Sequence, residues 1–300
     1  MRAKQNLEMI GMTPLSSIAM SAYTDLVRLL KDDALSGVEG KPTLKERGDK
    51  GYWYAARRVG TEMQFIYIGE DSEETRARID RIEELRATAK ERQAERSRLV
   101  RLLRAEGMTP TDRATGSILS AMAAAGTFRL GGTIVGTNAF RLYEGELGVR
   151  LPLGGMANTG DIDIAQFEKL SVALQDQVDP GLAETFSALR FDPLPAIDQG
   201  RTWRWAQGGS GQLVEFLTPA FGDETIRELP ALGVNAQALN YLNFLIAEPI
   251  HAAAIYRSGV LVQVPRPERY AIHKLIIADR RRDGAGSLKS AKDREQAAFL

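Results

Sequence analysis

Two aspartates separated by a single isoleucine place the strongest constraint on how this chain can fold. Asp161 and Asp163 alternate with Ile162 and Ile164, and an acidic/apolar alternation of period two is typical of a β-strand. Successive side chains of a strand point to opposite faces, so both carboxylates face one side and both isoleucines the other. Like charges this close raise each other's pKa unless a cation lies between them. The segment therefore predicts a sheet with one buried face and acids on the other.

Solvated acids at an exposed strand end are the alternative interpretation of this segment. A Mg²⁺ or Mn²⁺ site is the more specific one, because hard cations prefer carboxylate oxygens. Other metal ligands are scarce, since the chain has no cysteine and only two histidines, His251 and His273. The lack of cysteine also excludes disulfides and thiolate nucleophiles. Any catalysis must therefore use carboxylates, hydroxyls, Lys or Arg.

Length and charge narrow the class of protein further. The 300 residues suffice for one large domain or two ordinary ones, and an apolar content of 44% is too high for general disorder. The 39 basic and 39 acidic residues cancel, so nucleic-acid binding would need a local patch. No run approaches the ~18 apolar residues of a membrane helix. Residues 1–18 also lack the apolar stretch of a secretory signal, so we expect a cytoplasmic protein without membrane contact.

Residues 1–112 are predicted to form an N-terminal region of helices and one aromatic β-hairpin. An amphipathic helix is expected over 13–31. Aromatic runs at 52–55 and 63–68 flank a glycine turn at 59–61, which is typical of a hairpin.

The last part of this region is rich in charge. Residues 73–106 contain no Gly or Pro, which predicts one long, mostly exposed helix. Between Arg86 and Arg104 it carries seven basic residues and two acidic ones. A solvated helix face is the favoured interpretation. A surface for the phosphate backbone of a nucleic acid is the alternative, and exposed aromatics of the hairpin would add base stacking to it.

From residue 113 onward the pattern changes to short strands and helices in alternation. We place one domain at 113–225 and a mainly helical region at 226–300. Apolar runs between 239 and 264 are compatible with helix or strand. Residues 267–300 are predicted to be helical, with a glycine break at 284–286.

An apolar strand that runs into a glycine and then a helix is the second feature with chemical meaning. The strand ends at Val135, and Gly136 and Thr137 precede the helical pattern. Such a junction presents backbone N–H groups and a hydroxyl at a helix N-terminus, where a phosphate binds favourably. A purely structural turn is the alternative, and a second glycine motif at 130–133 competes for the same role.

A third acid stands in an otherwise apolar strand. Glu215 lies between Val214 and Phe216. A lone buried carboxylate is unfavourable unless it is paired, protonated or bound to a metal. Asp161 and Asp163, together with a metal ion, would provide the partner that Glu215 needs.

The order of these features resembles the nucleotidyltransferase superfamily related to DNA polymerase β. It is more closely similar to a bacterial family of nucleotidyltransferase-fold proteins, over roughly residues 115–300. The segments that carry the resemblance are IVGTNAFRLY at 134–143, LGVR at 147–150, TGDIDIA at 159–165, VEFLTP at 214–219, VPRP at 264–267, YAIHKL at 270–275 and KDREQA at 292–297.

The sequence departs from the family pattern in two places, and these departures affect which residue roles the resemblance implies. The third acid is Glu215 where Asp is usual, and the additional methylene shifts the carboxylate oxygens. The distance along the chain from Gly136 to Asp161 is also long, which implies an insertion at 144–158.

The resemblance implies an α+β protein with a polymerase β-like mixed sheet flanked by helices. It implies that the phosphates of an NTP bind over Gly136 and Thr137. It further implies that Asp161, Asp163 and Glu215 are catalytic residues that bind Mg²⁺ or Mn²⁺.

Two lysines are candidates for holding the β- and γ-phosphates, Lys274 and Lys292, with an ordinary surface position as the alternative for each. The implied activity is transfer of a nucleoside monophosphate from an NTP to RNA, protein or a small molecule. Some relatives are toxins that modify tRNA ends, so a tRNA acceptor or a partner protein is conceivable. A catalytically silent protein that binds nucleic acid or regulates is the alternative function.

Overall fold

The protein has an α+β architecture in which helices flank a seven-stranded mixed sheet, as the sequence predicted. A helix and hairpin region precedes this sheet, and two long helices follow it. The structure is a computed structural model that describes residues 13–38, 40–59, 62–151, 160–174, 176–195, 201–282 and 287–300.

The N-terminal region is built on one amphipathic helix. It begins after Ser16, whose hydroxyl caps the helix by accepting a hydrogen bond from the amide of Ala19 at 3.0 Å. Its buried stripe includes Tyr23, Leu26 and Leu30. The elements of this part are β1 (Thr13–Pro14), α1 (Ser17–Ser36), β2 (Lys41–Arg47), β3 (Lys50–Val59) and β4 (Glu62–Glu70).

Strands β2, β3 and β4 form an antiparallel sheet in that order. The predicted hairpin of β3 and β4 is confirmed, although residues 60 and 61 of its turn lie outside the described residues. Strand β2 was not predicted, because Pro42 and the lysines around it carry no apolar alternation. The strand forms because its main chain pairs with β3, and not because of a pattern in its own sequence.

The prediction of one long helix over 73–106 was wrong. The segment forms three helices, α2 (Glu73–Ile79), α3 (Ile82–Ala87) and α4 (Ala89–Ala105). At the second break, the Thr88 hydroxyl donates to the Glu84 carbonyl at 2.9 Å, a local bond that competes with the helical ladder. The breaks allow both α3 and α4 to pack against α1.

Several of the basic side chains that could have bound phosphates are instead paired within the protein. Arg92 is buried, and its Nε lies 2.6 Å from Asp33 Oδ1. Arg96 reaches Asp33 Oδ2 at 2.8 Å, and Arg104 donates to the Ile255 carbonyl at 3.3 Å. These cations stabilise the junction of α4 with its neighbours, which favours the structural interpretation of the charge run.

The central sheet is organised around two parallel strands that carry the acids. Its order is β11 (Ile226–Leu229), β12 (Val234–Leu239), β10, β7 and β5, with β9 also paired to β10 and β8 paired to β9. Strands β7, β10 and β12 run parallel, and β5 runs antiparallel to β7. The elements are α5 (Arg113–Ala125), β5 (Thr133–Val135), α6 (Gly136–Leu147), β6 (Val149–Arg150), β7 (Asp161–Ala165), α7 (Glu168–Ala173), α8 (Leu182–Ala188), β8 (Phe191–Pro193), β9 (Arg204–Gln207) and β10 (Leu213–Pro219).

One face of this sheet belongs to the main hydrophobic core. Ile162 and Ile164 are fully buried, as the alternation predicted. Phe216 is buried on the same face, and its ring lies 6.1 Å from that of Phe186 on α8. The opposite face carries the acids and is covered by helices from the end of the chain.

Residues 226–300 differ from the mainly helical region that was predicted, because four strands precede the two long helices. The apolar runs whose structure the sequence left open are strands, except for one short helix. The predicted glycine break at 284–286 lies outside the described residues. The elements are β11 (Ile226–Leu229), β12 (Val234–Leu239), α9 (Leu242–Leu245), β13 (Ile250–Ala254), β14 (Val260–Val264), α10 (Pro267–Arg280) and α11 (Ser287–Phe299).

Candidate active site

Strand register brings the three acids together on one face of the sheet. In the parallel pair of β7 and β10, Asp161 is opposite Leu213 and Asp163 is opposite Glu215. Paired residues of neighbouring strands point to the same side, so all three carboxylates share one face. On the other side of β10, Arg204 is opposite Glu215, with NH1 3.9 Å from Oε1.

A cavity of about 570 Å³ lies over these acids, and this volume is in the range of ligand sites. Strands β5, β7, β10 and β12 form its floor, while α9, α10 and α11 form its walls. The cavity brings together all the residues that the sequence singled out, which are Gly136, Thr137, Asp161, Asp163, Glu215, Lys274 and Lys292.

Two of the acids are strongly coupled. The pKa of Asp163 is raised from 3.8 to about 7, first by burial and then by the charges of Glu215 and Asp161. Burial also raises the pKa of Glu215, a shift that Arg204 opposes. The side chains of Asp163 and Glu215 hydrogen-bond to each other, so in the absence of a cation one proton is shared between them.

This donor set has the chemistry of a hard-cation site. Oxygen ligands with unbalanced negative charge face an open cavity, and a divalent cation would replace the shared proton. Across the described ranges, however, no group of three or more His, Asp or Glu side chains already has the spacing of a metal centre. The carboxylates fit a cation by charge and type, and the three would have to move closer together to bind one.

Stability in metal-free buffer should therefore depend on pH. The native Asp163 carboxyl has a pKa of about 7 against an ordinary 3.8, so between these pH values the native state holds more protons than the unfolded state. We expect the free energy of unfolding to fall as pH rises through this window, by at most about 4 kcal/mol. Urea unfolding in EDTA at several pH values measures it. Asp163→Asn should flatten the curve, and an unchanged slope would contradict the coupling.

The glycine junction meets the acids at the start of α6. Gly136 has φ +65°, and a Cβ there would lie 2.3 Å from Oδ2 of Asp163. Its carbonyl accepts a hydrogen bond from the buried Tyr270 hydroxyl at 2.8 Å. Asn138, also buried, donates to the main-chain carbonyl of Asp161 at 2.5 Å. The competing motif at 130–133 does not line the cavity.

Neither Tyr270 nor Asn138 was singled out by the sequence. Asn138 is part of the glycine motif, but its hydrogen bond joins α6 to the main chain of β7, a contact that the motif does not indicate. Tyr270 reaches the glycine from a helix more than a hundred residues away.

We expect Gly136→Ala to impair the site more than the fold around it. The new methyl group would collide with the Asp163 carboxylate and would force a left-handed backbone on alanine. Nucleotide binding should weaken at least tenfold, measured by isothermal titration with a nonhydrolysable NTP and Mg²⁺. Gly181→Ala, where a Cβ meets no atom, is the matched control and should bind as the wild type does.

The two candidate lysines differ in their surroundings. Lys274 is buried, with Nζ 2.6 Å from Oδ1 of Asp293, and the other oxygen of Asp293 lies 2.9 Å from Arg281. Burial lowers the pKa of Lys274, and burial followed by the charge of Lys274 lowers that of Lys292. Lys289 lines the same cavity and is more exposed, a cation that the sequence did not single out.

A mixed sheet flanked by helices, with an acid-bearing face under a cavity, is the architecture of a nucleotidyltransferase fold. Residues 113–300, more than half of the chain, match the model of a family described as Nucleotidyltransferase. The chain belongs to this family.

The N-terminal part matches a different family. Residues 23–77 match a model described as Domain of unknown function (DUF6788), which spans most of α1 and the three-stranded sheet. Comparison with curated proteins found no match, and comparison with solved structures found none either. Within the described ranges, no helix is both long enough and apolar enough to cross a bilayer.

Proposed function

We propose that this protein transfers a nucleoside monophosphate from an NTP to the hydroxyl group of an acceptor, with the help of Mg²⁺ or Mn²⁺. The observation that carries the proposal is the cavity in which a glycine junction, three carboxylates and several cations meet. Family membership supports nucleotidyl transfer in general terms. The metal, the NTP and the acceptor are the more specific parts of the proposal.

Each group of residues has a separate role in this proposal. Asp161, Asp163 and Glu215 would hold the divalent ion, which neutralises charge on the triphosphate and on the attacking oxygen when it is bound. The N-terminus of α6 at Gly136 and Thr137 holds phosphate oxygens through backbone N–H groups and the Thr hydroxyl.

Cations on the helical wall complete the binding of the triphosphate. Lys274 and Lys292 would balance charge that builds up on the pyrophosphate leaving group. The bond from the acceptor oxygen to the α-phosphorus forms, and the bond from that phosphorus to the bridging oxygen breaks to release pyrophosphate. The acceptor hydroxyl passes its proton to solvent water.

We also propose the broader setting that the sequence suggests. The chain would be a bacterial, cytoplasmic member of the polymerase β-like superfamily, with an N-terminal region at 1–112, a catalytic domain at 113–225 and a completing region at 226–300. A toxin-like role, with a tRNA acceptor or a partner protein, belongs to the same proposal.

Incubation with each α-labelled NTP tests the proposal directly. Reactions would contain Mg²⁺ or Mn²⁺, with and without total RNA, and label would be followed in the RNA, protein and small-molecule fractions. Metal-dependent transfer into any fraction supports the activity. Absence of transfer under every condition would favour the catalytically silent alternative.

A further inference from the structure

Two strongly exposed aromatic side chains lie on loops beside the cavity, although neither ring is part of its lining. Phe221 is 74% exposed and follows β10, and Tyr241 is 50% exposed and follows β12. These strands run parallel, so their carboxyl ends lie at the same edge of the sheet. The Asn240 amide donates to the Gly222 carbonyl at 3.2 Å and ties the two loops together. We call the surface formed by Phe221, Tyr241 and Arg280 the aromatic rim.

The backbone and a neighbouring cation hold Tyr241 in its outward position. Its φ of +68° is in the left-handed region, which is unfavourable for a residue with a large side chain. Both of its chain neighbours, Asn240 and Leu242, line the cavity. The Arg280 guanidinium lies 5.7 Å from the Tyr241 ring centre and lines the cavity too. The rim therefore keeps an exposed ring and a cation at the cavity mouth.

Positive and negative groups are separated between the wall and the floor of the cavity. Arg280, Arg281, Lys289 and Lys292 lie on the helical wall, while the three acids lie on the sheet beneath. Part of the wall charge is already balanced, since Arg281 pairs with Asp293 and Arg280 lies 3.8 Å from Glu224, which also lines the cavity.

We infer that the aromatic rim binds the acceptor, and that the acceptor is the single-stranded end of a nucleic acid. Unpaired bases stack on exposed rings, and phosphates next to them interact with Arg280 and Lys289. A single strand can bring its terminal hydroxyl into the cavity, whereas the paired bases of a duplex are not free to stack on the rim. This inference rests on the proposed function, because it specifies what receives the nucleotide.

Binding of a labelled oligonucleotide to the full chain tests the rim without requiring transfer. Fluorescence anisotropy would compare a single strand of about twelve nucleotides with a blunt duplex, as RNA and as DNA. We expect Tyr241→Leu and Phe221→Leu each to weaken single-strand binding about fivefold or more, because base stacking needs the ring. Tyr241→Phe and Phe221→Tyr keep the ring and should retain wild-type affinity. Arg280→Gln should reduce the salt dependence by about one phosphate contact.

The Asp161→Asn/Asp163→Asn variant separates this inference from the proposed function. It should bind the oligonucleotide as the wild type does, because the rim is intact. Leucine variants that bind like the wild type, or label that enters only protein, would overturn the inference while leaving the transferase activity standing. Ring-dependent binding without transfer to any acceptor would overturn the proposed function and leave the rim as a nucleic-acid site.

Discussion

The Asp161→Asn/Asp163→Asn variant is expected to lose nucleotidyl transfer by about a thousandfold or more. A metal ion that stabilises the transferring phosphoryl group contributes several kcal/mol, and each 1.4 kcal/mol corresponds to a factor of ten in rate. Amides keep the shape of the carboxylates but lose the negative charge that attracts a divalent cation. Initial rates of transfer from an α-labelled NTP, with saturating Mn²⁺, measure the loss.

The fold should survive this double substitution. Like charges on one face of the sheet repel, so neutral amides remove an unfavourable interaction from the metal-free protein. Thermal unfolding should show Mg²⁺ stabilising the wild type but not the variant. Glu184→Gln/Asp192→Asn removes two acids that do not line the cavity and should leave rate and metal response unchanged. If the Asp161→Asn/Asp163→Asn variant still transfers at the wild-type rate, Asp161 and Asp163 are excluded from the site.

The sequence predicted best those parts of the fold that depend on neighbours along the chain. The alternation at 161–164 defines both faces of β7, and the apolar run around Glu215 defines β10 in the same way. Parallel pairing then places the acids side by side, because strand periodicity allows no other face once the isoleucines are buried. The roles of these acids remain a prediction.

The sequence did not predict contacts between segments that lie far apart along the chain. Strand β2 forms because it pairs with β3, and the helices on either side of the break at 88 both pack against α1. Tyr270 and Asn138 act on the main chain of the site, where no side-chain pattern indicates them. Interactions of this kind depend on the packing of whole elements.

Lys274 is the clearest example of a contact that the sequence did not predict. Its buried ion pair also gives the second prediction with a large expected effect. The sequence presented it as a cation for phosphates, but the structure pairs it with a buried aspartate. Lys274 is 8% exposed and Asp293 is 3% exposed. Removal of one partner from a buried ion pair leaves an uncompensated charge, and such changes destabilise proteins by about 3–5 kcal/mol.

Asp293→Asn should therefore lower the free energy of unfolding by about 3 kcal/mol or more, measured by urea unfolding at pH 7. Asp279→Asn is the matched control, since Asp279 lies in an exposed pair with Arg282 at 3.7 Å and should matter by less than about 1 kcal/mol. Equal stability of both variants would contradict a structural role for the buried pair.

Replacing both partners separates stability from phosphate binding. Lys274→Met/Asp293→Leu leaves no buried charge from the pair, so we expect stability much closer to the wild type than that of Asp293→Asn. Arg281, which loses its partner, is exposed enough to be solvated. If Lys274 also binds the triphosphate, the stable double variant should have an NTP dissociation constant raised at least tenfold. Wild-type NTP affinity in that folded variant would limit Lys274 to holding α10 and α11 together and would leave the phosphates to Lys289 and Lys292.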